Sequence, residues 1–308
     1  MTSAETLAMP SVETTKTVNA PRPFYWSIRR ELWEHRSILF APASVAAAII
    51  AVAIVRINYF AGLISKENLR SNGSGSIQDL AIGMFLVTAG LVIITATLTG
   101  IFYSLDALLG ERRDRSALFW KSLPVSDSTT VLSKAIIPVA VLPAVAFAVT
   151  VLMHILMLLI LSVALLFLRQ PLSSLWSQLP FFQIQVFVLY VIVTCTLWYA
   201  PIYGWLLLVS SISRRAALVW AVLPFVVAVG LERFAFKSQY VAFWLLHRLV
   251  GGLQAAFYYV TQQQHGTVGL KDATPGFYLA SAGLWTGLVA FVIFVFLCIR
   301  IRRFQGPI

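Results

Sequence analysis

The amino-acid sequence predicts an all-α polytopic membrane protein with six transmembrane helices. The mean hydropathy is +0.84, and 59% of the 308 residues are hydrophobic while only 11% are charged. A soluble domain of this length does not contain so large an apolar fraction. Long apolar runs alternate with short polar segments, and most of these runs reach the roughly 20 residues that a bilayer requires.

The net charge of +11 does not indicate a nucleic-acid-binding protein, because the basic residues lie mainly at the ends of apolar runs. Cys195 and Cys298 both fall inside such runs, so neither a disulfide framework nor a zinc site is predicted. Residues 1–21 are polar and lack the apolar core of a signal peptide. We expect a short disordered cytoplasmic tail there, followed by a single membrane domain at 22–308.

Residues 23–36 predict an amphipathic helix on the cytoplasmic membrane surface. Phe24, Ile28 and Leu32 recur every four residues, and charged side chains occupy the other faces. Trp26 is of the residue type that favours the headgroup layer. The alternative is that this segment forms the frayed start of the first span.

Six spans are predicted, at residues 38–57, 80–103, 131–168, 182–212, 216–231 and 277–299. The third apolar run is much longer than a bilayer needs. We therefore expect its helix to begin in the cytoplasm, to bend at Pro138 and Pro143, and then to cross.

The segment 241–260, between the fifth and sixth spans, is apolar enough for a seventh span. It contains His247, Arg248 and the pair Gly251–Gly252, which a simple span would not favour. A seventh span would also place the three C-terminal arginines outside, against the positive-inside rule. We therefore favour a re-entrant or interfacial helix pair on the outer face.

Lys and Arg counts orient the six-span arrangement. With both termini inside, 15 of the 23 basic residues lie on the cytoplasmic side and the other 8 lie outside. This distribution follows the positive-inside rule. It predicts a multi-pass protein of a bacterial inner membrane with both termini in the cytoplasm.

The loop between the second and third spans has the highest charge density in the chain. The residues expected to contact a partner are Glu111, Arg112, Arg113, Asp114, Arg115, Leu118, Phe119, Trp120 and Leu123. Pro124 ends the short helix predicted at 116–123, and Asp127 or Ser128 is expected to cap the next helix. Exposed aromatic residues beside arginines favour a docking site for a soluble partner. The alternative is a solvated loop that only enforces topology.

This loop resembles that of ABC-2 type permeases. The resemblance rests on Glu111-Arg112, the amphipathic helix that follows, Leu123-Pro124-Val125-Ser126 and Lys134. Many members carry Gly-Thr-Leu at the start of the helix, where this chain has Arg115-Ser116-Ala117-Leu118. The resemblance implies that the loop is a coupling helix, which docks on a separate ABC ATP-binding subunit. It also implies short re-entrant helices on the outer face.

The chain contains no GxxxxGK[ST] phosphate loop, so we expect no ATPase site, and no cofactor, in the chain itself. The resemblance implies that ATP and Mg²⁺ are bound by the partner subunit. The expected assembly is a homodimer, or a pairing with a related permease, within membrane lipid. The expected function is export of a substrate that the sequence does not identify. The alternative is a non-transporting platform that uses the ATPase for assembly, signalling or release of extracytoplasmic proteins. An intramembrane enzyme would need polar catalytic groups clustered at one depth, and the sequence does not show them.

An outer gate is predicted over the exit of the pathway. Its residues are Phe243, Trp244, Gly251, Gly252 and Tyr258. The aromatic rings would form a seal, and the glycine pair would allow a tight reversal.

Histidines do not predict a metal site, because their spacing never matches a ligand set. His154 lies in the middle of the third span, either as a pathway group or hydrogen-bonded to a neighbouring helix. Tyr199 and Tyr203 flank Pro201 in the fourth span. Their rings could line a pathway or serve only in packing, and the sequence does not separate these roles.

Overall fold

The computed structural model describes residues 23–57, 59, 62, 75–113, 126–167, 169, 172–176, 179–257 and 273–304, and these residues contain helices and no strand. The α-helices are α1 Pro23–Glu34, α2 Ser37–Val55, α3 Gly75–Asp106, α4 Leu109–Arg113, α5 Asp127–Ile136, α6 Leu142–Phe167, α7 Ser173–Trp176, α8 Phe181–Ile212, α9 Ala217–Leu231, α10 Tyr240–Ala256, α11 Pro275–Ala280 and α12 Ala282–Phe304. Two π-helical segments occur, Ile137–Val141 between α5 and α6, and Glu232–Phe236 after α9.

Within the described residues, six helical stretches are long and apolar enough to cross a membrane, which is the predicted number. They are Ser37–Val55, Ala81–Arg113, Asp127–Phe167, Phe181–Ile212, Ala217–Phe236 and Ala282–Phe304. Helix α10, with 17 residues, is not among them. The last stretch begins at 282 rather than at the predicted 277, because Ser281 is extended, with ψ 122°, and separates α11 from α12.

The third stretch is helical without interruption from Asp127 to Phe167. Pro138 lies in its π-helical segment, so the helix accommodates the missing N–H by a local change of helical geometry. The N-terminal cap is Ser126, whose Oγ accepts a hydrogen bond from the Thr129 N–H at 3.1 Å. The predicted caps, Asp127 and Ser128, were therefore wrong by one or two positions.

Helix α8 is the central element of the bundle and packs against α3, α10 and α12. Helices α2, α3 and α6 pack against one another beside it. His154 of α6 is fully buried, with its Nε2 3.1 Å from the Phe85 carbonyl oxygen and its Nδ1 2.9 Å from Gln185 Nε2. Of the two roles considered for His154, the structure shows hydrogen bonds to the neighbouring helices α3 and α8.

The tyrosines beside Pro201 have packing partners within the chain. The Tyr199 hydroxyl donates to the Leu249 carbonyl oxygen of α10 at 2.7 Å. Tyr203 is buried against Gly100 of α3, where a Cβ would lie 3.1 Å from the ring. Both rings therefore contribute to contacts between helices.

Candidate functional site

Glu111 of α4 lies at the centre of a charged cluster at one end of the bundle. Its carboxylate is 2.8 Å from Arg30 Nη2 of α1, 2.8 Å from Arg302 Nη1 of α12 and 3.2 Å from Lys134 Nζ of α5. Only 7% of the residue is exposed. A buried charge of this kind is stable only where opposite charges and hydrogen bonds compensate its desolvation. Glu111 therefore holds three other helices to the end of the second span.

Glu31 of α1 is the second buried carboxylate of this cluster. It accepts a hydrogen bond from Lys134 Nζ at 2.8 Å and another from the Tyr103 hydroxyl of α3 at 2.8 Å. Glu31 and Lys134 are each 1% exposed. The predicted surface helix α1 is thus fixed to the spans by buried polar contacts as well as by its apolar residues Ile28 and Leu32.

Two cations of the cluster connect buried carboxylates to peripheral ones. Arg30 Nε is 2.8 Å from Glu34, and Arg302 Nε is 3.1 Å from Asp127, the first residue of α5. Burial disfavours the charged form of Arg30, but its hydrogen bonds to Glu34 and Glu111 outweigh this effect and raise its pKa. The cluster, defined by Glu31, Glu34, Glu111, Asp127, Arg30, Lys134 and Arg302, is called the charge cluster below.

Arg112, the next residue, contacts a different helix. Its Nη2 donates to the carbonyl oxygens of Ser210 and Ser213, at 2.8 and 2.6 Å. These carbonyls lie at the end of α8, where the helix leaves acceptors without intrahelical partners. The Ser210 hydroxyl in turn accepts from the backbone N–H groups of Leu108 and Leu109. The turn before α4 is therefore fixed to the central helix.

The predicted docking residues divide into three groups. Glu111 is buried and Arg112 is partly buried, and both contact other helices of the chain. Three cations of the chain itself surround the Glu111 carboxylate, and docking by Glu111 and Arg112 stays a prediction. Arg113 is exposed. The remaining members, Asp114, Arg115, Leu118, Phe119, Trp120 and Leu123, lie outside the described residues, and docking through them stays a prediction.

The predicted outer gate lies on α10, except for Tyr258, which is outside the described residues. Phe243 and Trp244 are 65% and 61% exposed. Gly251 and Gly252 continue the helix rather than reverse the chain, so the predicted reversal at this pair was wrong. A Cβ at Gly252 would lie 2.5 Å from the ring of Trp198. Gly252 is thus suited to close approach between α10 and α8.

Arg248 of α10 is a site residue that sequence reasoning did not select. Its guanidinium lies 4.6 Å from the Trp198 ring centroid and donates to the carbonyl oxygens of Trp198, at 2.5 Å, and Gly283, at 2.8 Å. Burial lowers the pKa of Arg248. These contacts attach α10 to α8 and α12. The combination of an arginine and a glycine pair in an apolar helix is the only sequence signal for this arrangement.

Glu31, Glu34 and His35 bring their ligand atoms within 4.8 Å of one another, close enough to hold a metal ion. Glu31 is already bonded to Lys134, and Glu34 to Arg30. We therefore interpret these carboxylates as members of the charge cluster rather than as metal ligands.

The charge cluster connects helices α1, α4, α5 and α12 by ion pairs. Its carboxylates and cations are bonded to one another, so its chemistry favours holding elements together over reacting with a substrate. No known protein family, curated protein or solved structure matches the chain. Functional inference therefore rests on the loop motif and on this geometry.

Proposed function

We propose that the chain is the membrane-spanning permease subunit of a bacterial ATP-binding cassette exporter. In this proposal a separate ATPase subunit hydrolyses ATP, and this chain couples that hydrolysis to export. The observation that carries the proposal is the anchoring of Glu111 and Arg112, the first two residues of the charged loop. Together they contact α1, α5, α8 and α12.

The residues that follow the loop support the same role. Ser126 caps α5, and Asp127 contacts Arg302 of α12. The helical stretch Asp127–Phe167 contains 41 residues, which corresponds to a length of about 60 Å at 1.5 Å per residue. A displacement of segment 114–125 by a partner would therefore act on the spans from both of its ends. A segment that passes a partner's movement to the spans requires such contacts at both of its ends.

In the proposed assembly, the export pathway lies between two copies of the chain. The cavity beside Tyr203, lined also by Thr97 and Pro138, has a volume of about 20 Å³, room for about one water molecule. By contrast, only 11% of the span Ala217–Phe236 is buried. This span offers an apolar face for a second copy, and two-fold symmetry is the common arrangement of such assemblies.

Affinity purification of the tagged chain from its native membrane tests the proposal. We expect a P-loop ATPase to co-purify, and ATP hydrolysis to depend on it. The chain alone should hydrolyse no ATP, and proteoliposomes of the complex should export a substrate when ATP is supplied. An ATPase that co-purifies without any ATP-dependent transport would instead favour the platform. The absence of a nucleotide-binding partner, or hydrolysis by the isolated chain, would contradict both.

A further inference from the structure

A groove lies between the end of α8 and the start of α9, at the same end of the bundle as Arg112. Its lining residues are Trp205, Val209, Ile212, Ser213, Arg214, Arg215, Trp220 and Pro224. Two arginines and two tryptophans therefore border one surface that is otherwise mainly apolar. This surface is called the α8–α9 groove below.

The cations of the α8–α9 groove lack the compensation found in the charge cluster. Arg214 and Arg215 are exposed, and in the described part of the chain neither forms an ion pair. Arg112 donates to the carbonyl oxygen of Ser213, the residue before Arg214, so the like charges of Arg112 and Arg214 are close enough to repel each other. The groove is thus a site of positive potential, which an anionic ligand would neutralise.

Two polar features adjoin these arginines, and the second of them, the N-terminus of α9, favours an anionic ligand. Ser213 is 5% exposed, and its Oγ has no hydrogen-bond partner among the described residues. Helix α9 begins after Ala216, which is left-handed with φ 51°, and no side chain caps its N-terminus. An uncapped helix N-terminus presents N–H groups and a partial positive charge to an anion.

The walls of the α8–α9 groove indicate that the anion carries an apolar portion. Trp220 and Ile212 are 57% and 53% exposed. Trp205 is held in place by its Nε1–H, which donates to the Ala221 carbonyl oxygen at 3.1 Å. Tryptophan beside arginine is typical of the membrane headgroup layer. A small soluble anion would leave this apolar surface uncovered.

We propose that the α8–α9 groove binds an anionic phospholipid. The phosphate would lie at Arg214 and Arg215, beside the N-terminus of α9, and an acyl chain would extend along Trp220 and Ile212. Basic pockets between transmembrane helices bind anionic headgroups in this way. The bound headgroup also screens the repulsion between Arg112 and Arg214, so the lipid stabilises the attachment of α4 to α8. This inference does not depend on the proposed transport function.

Titration of the purified chain in maltoside detergent, followed by native mass spectrometry, tests the inference. The probes are phosphatidylglycerol and phosphatidylcholine with identical acyl chains. We expect saturable binding of phosphatidylglycerol, and about thirtyfold weaker binding by Arg214→Gln/Arg215→Gln, from the attraction of two arginines to an anionic lipid. The control Arg300→Gln/Arg303→Gln removes two exposed arginines of α12 at the same end of the bundle. The affinity of this control for phosphatidylglycerol should lie within about twofold of the wild-type value, because the substitutions leave the groove unchanged.

A third variant, Ile212→Trp, tests the acyl-chain position without a change of charge. It should weaken phosphatidylglycerol binding, because the larger side chain fills the groove. Equal affinity for the two lipids, or equal losses in the two double variants, would show a non-specific lipid annulus and overturn the inference. Full displacement of the lipid by millimolar inorganic phosphate would do the same. So would a groove variant that retains lipid binding and loses a protein partner, because the cations would then serve that partner.

Discussion

Replacing Glu111 with glutamine tests whether the charge cluster holds the bundle together. The change removes a negative charge that faces Arg30, Arg302 and Lys134 at 2.8–3.2 Å. Breaking a buried ion pair by removal of one partner costs about 3–5 kcal/mol. Each of the three cations keeps a second carboxylate partner. We therefore expect the free energy of unfolding to fall by about 3 kcal/mol, at the lower end of this range. At about 2–4 °C per kcal/mol, the apparent melting temperature should fall by about 6–12 °C.

Thermal unfolding of the purified chain in detergent, followed by intrinsic fluorescence, measures this loss. The matched control is Glu34→Gln, whose side chain is 46% exposed and contacts Arg30 one helical turn away. Exposed pairs of this kind contribute about 0.3–0.5 kcal/mol, so the control should shift the melting temperature by about 1–2 °C. Glu111→Gln/Arg302→Gln should lose less than the sum of the two single variants. Equal melting temperatures for Glu111→Gln and Glu34→Gln would refute the assignment of Glu111 to a buried cluster.

Three further predictions concern topology and the outer segment. A reporter active only in the periplasm should be active after Gln264 and silent after Gln305; activity at the second position would contradict six spans with both termini inside. Gly252→Ala should displace α10 and lower the melting temperature, because a Cβ there would lie 2.5 Å from Trp198; Gly83→Ala, where nothing lies within 4 Å, should not. Single cysteines at Phe243 and Leu253, in a background without native cysteines, should change their labelling by an impermeant thiol reagent when ATP is trapped on the partner. If labelling at both positions is the same with and without trapped ATP, while the complex still hydrolyses ATP, α10 does not act as a gate.

The spans could be predicted because each is a local property of the sequence. A run of apolar residues specifies a membrane-crossing helix whatever its neighbours are. The charge cluster could not be found in this way, because Glu31 and Lys134 are 103 positions apart and meet only in the folded chain. Each residue lies in a helical turn that mixes charged and apolar residues, so its local sequence does not show which residue it pairs with.

The glycine pair of α10 illustrates the same limit. Gly251–Gly252 is compatible with a turn and with a close helix contact, since both use the absence of a Cβ. The contact partner, Trp198, lies more than fifty positions earlier in the chain. The helix cap at Ser126 was missed for a local reason, because Ser126, Asp127 and Ser128 are all residue types that cap helices well. Their backbone conformation decided between them, with Ser126 extended at ψ 148°.

The affinity of the purified chain for the proposed ATPase partner tests the central claim most directly, because the proposed export function depends on docking through segment 116–123. Trp120→Ala and Phe119→Ala should each weaken binding by about 1–3 kcal/mol, the cost of losing a buried aromatic anchor. Arg113→Glu/Arg115→Glu should slow association and reduce its dependence on salt. The control is Trp33→Ala, which removes an exposed tryptophan from α1 and should leave the affinity unchanged. Wild-type affinity in the aromatic and the charge-reversal variants alike would show that the loop only enforces topology, and would contradict the account.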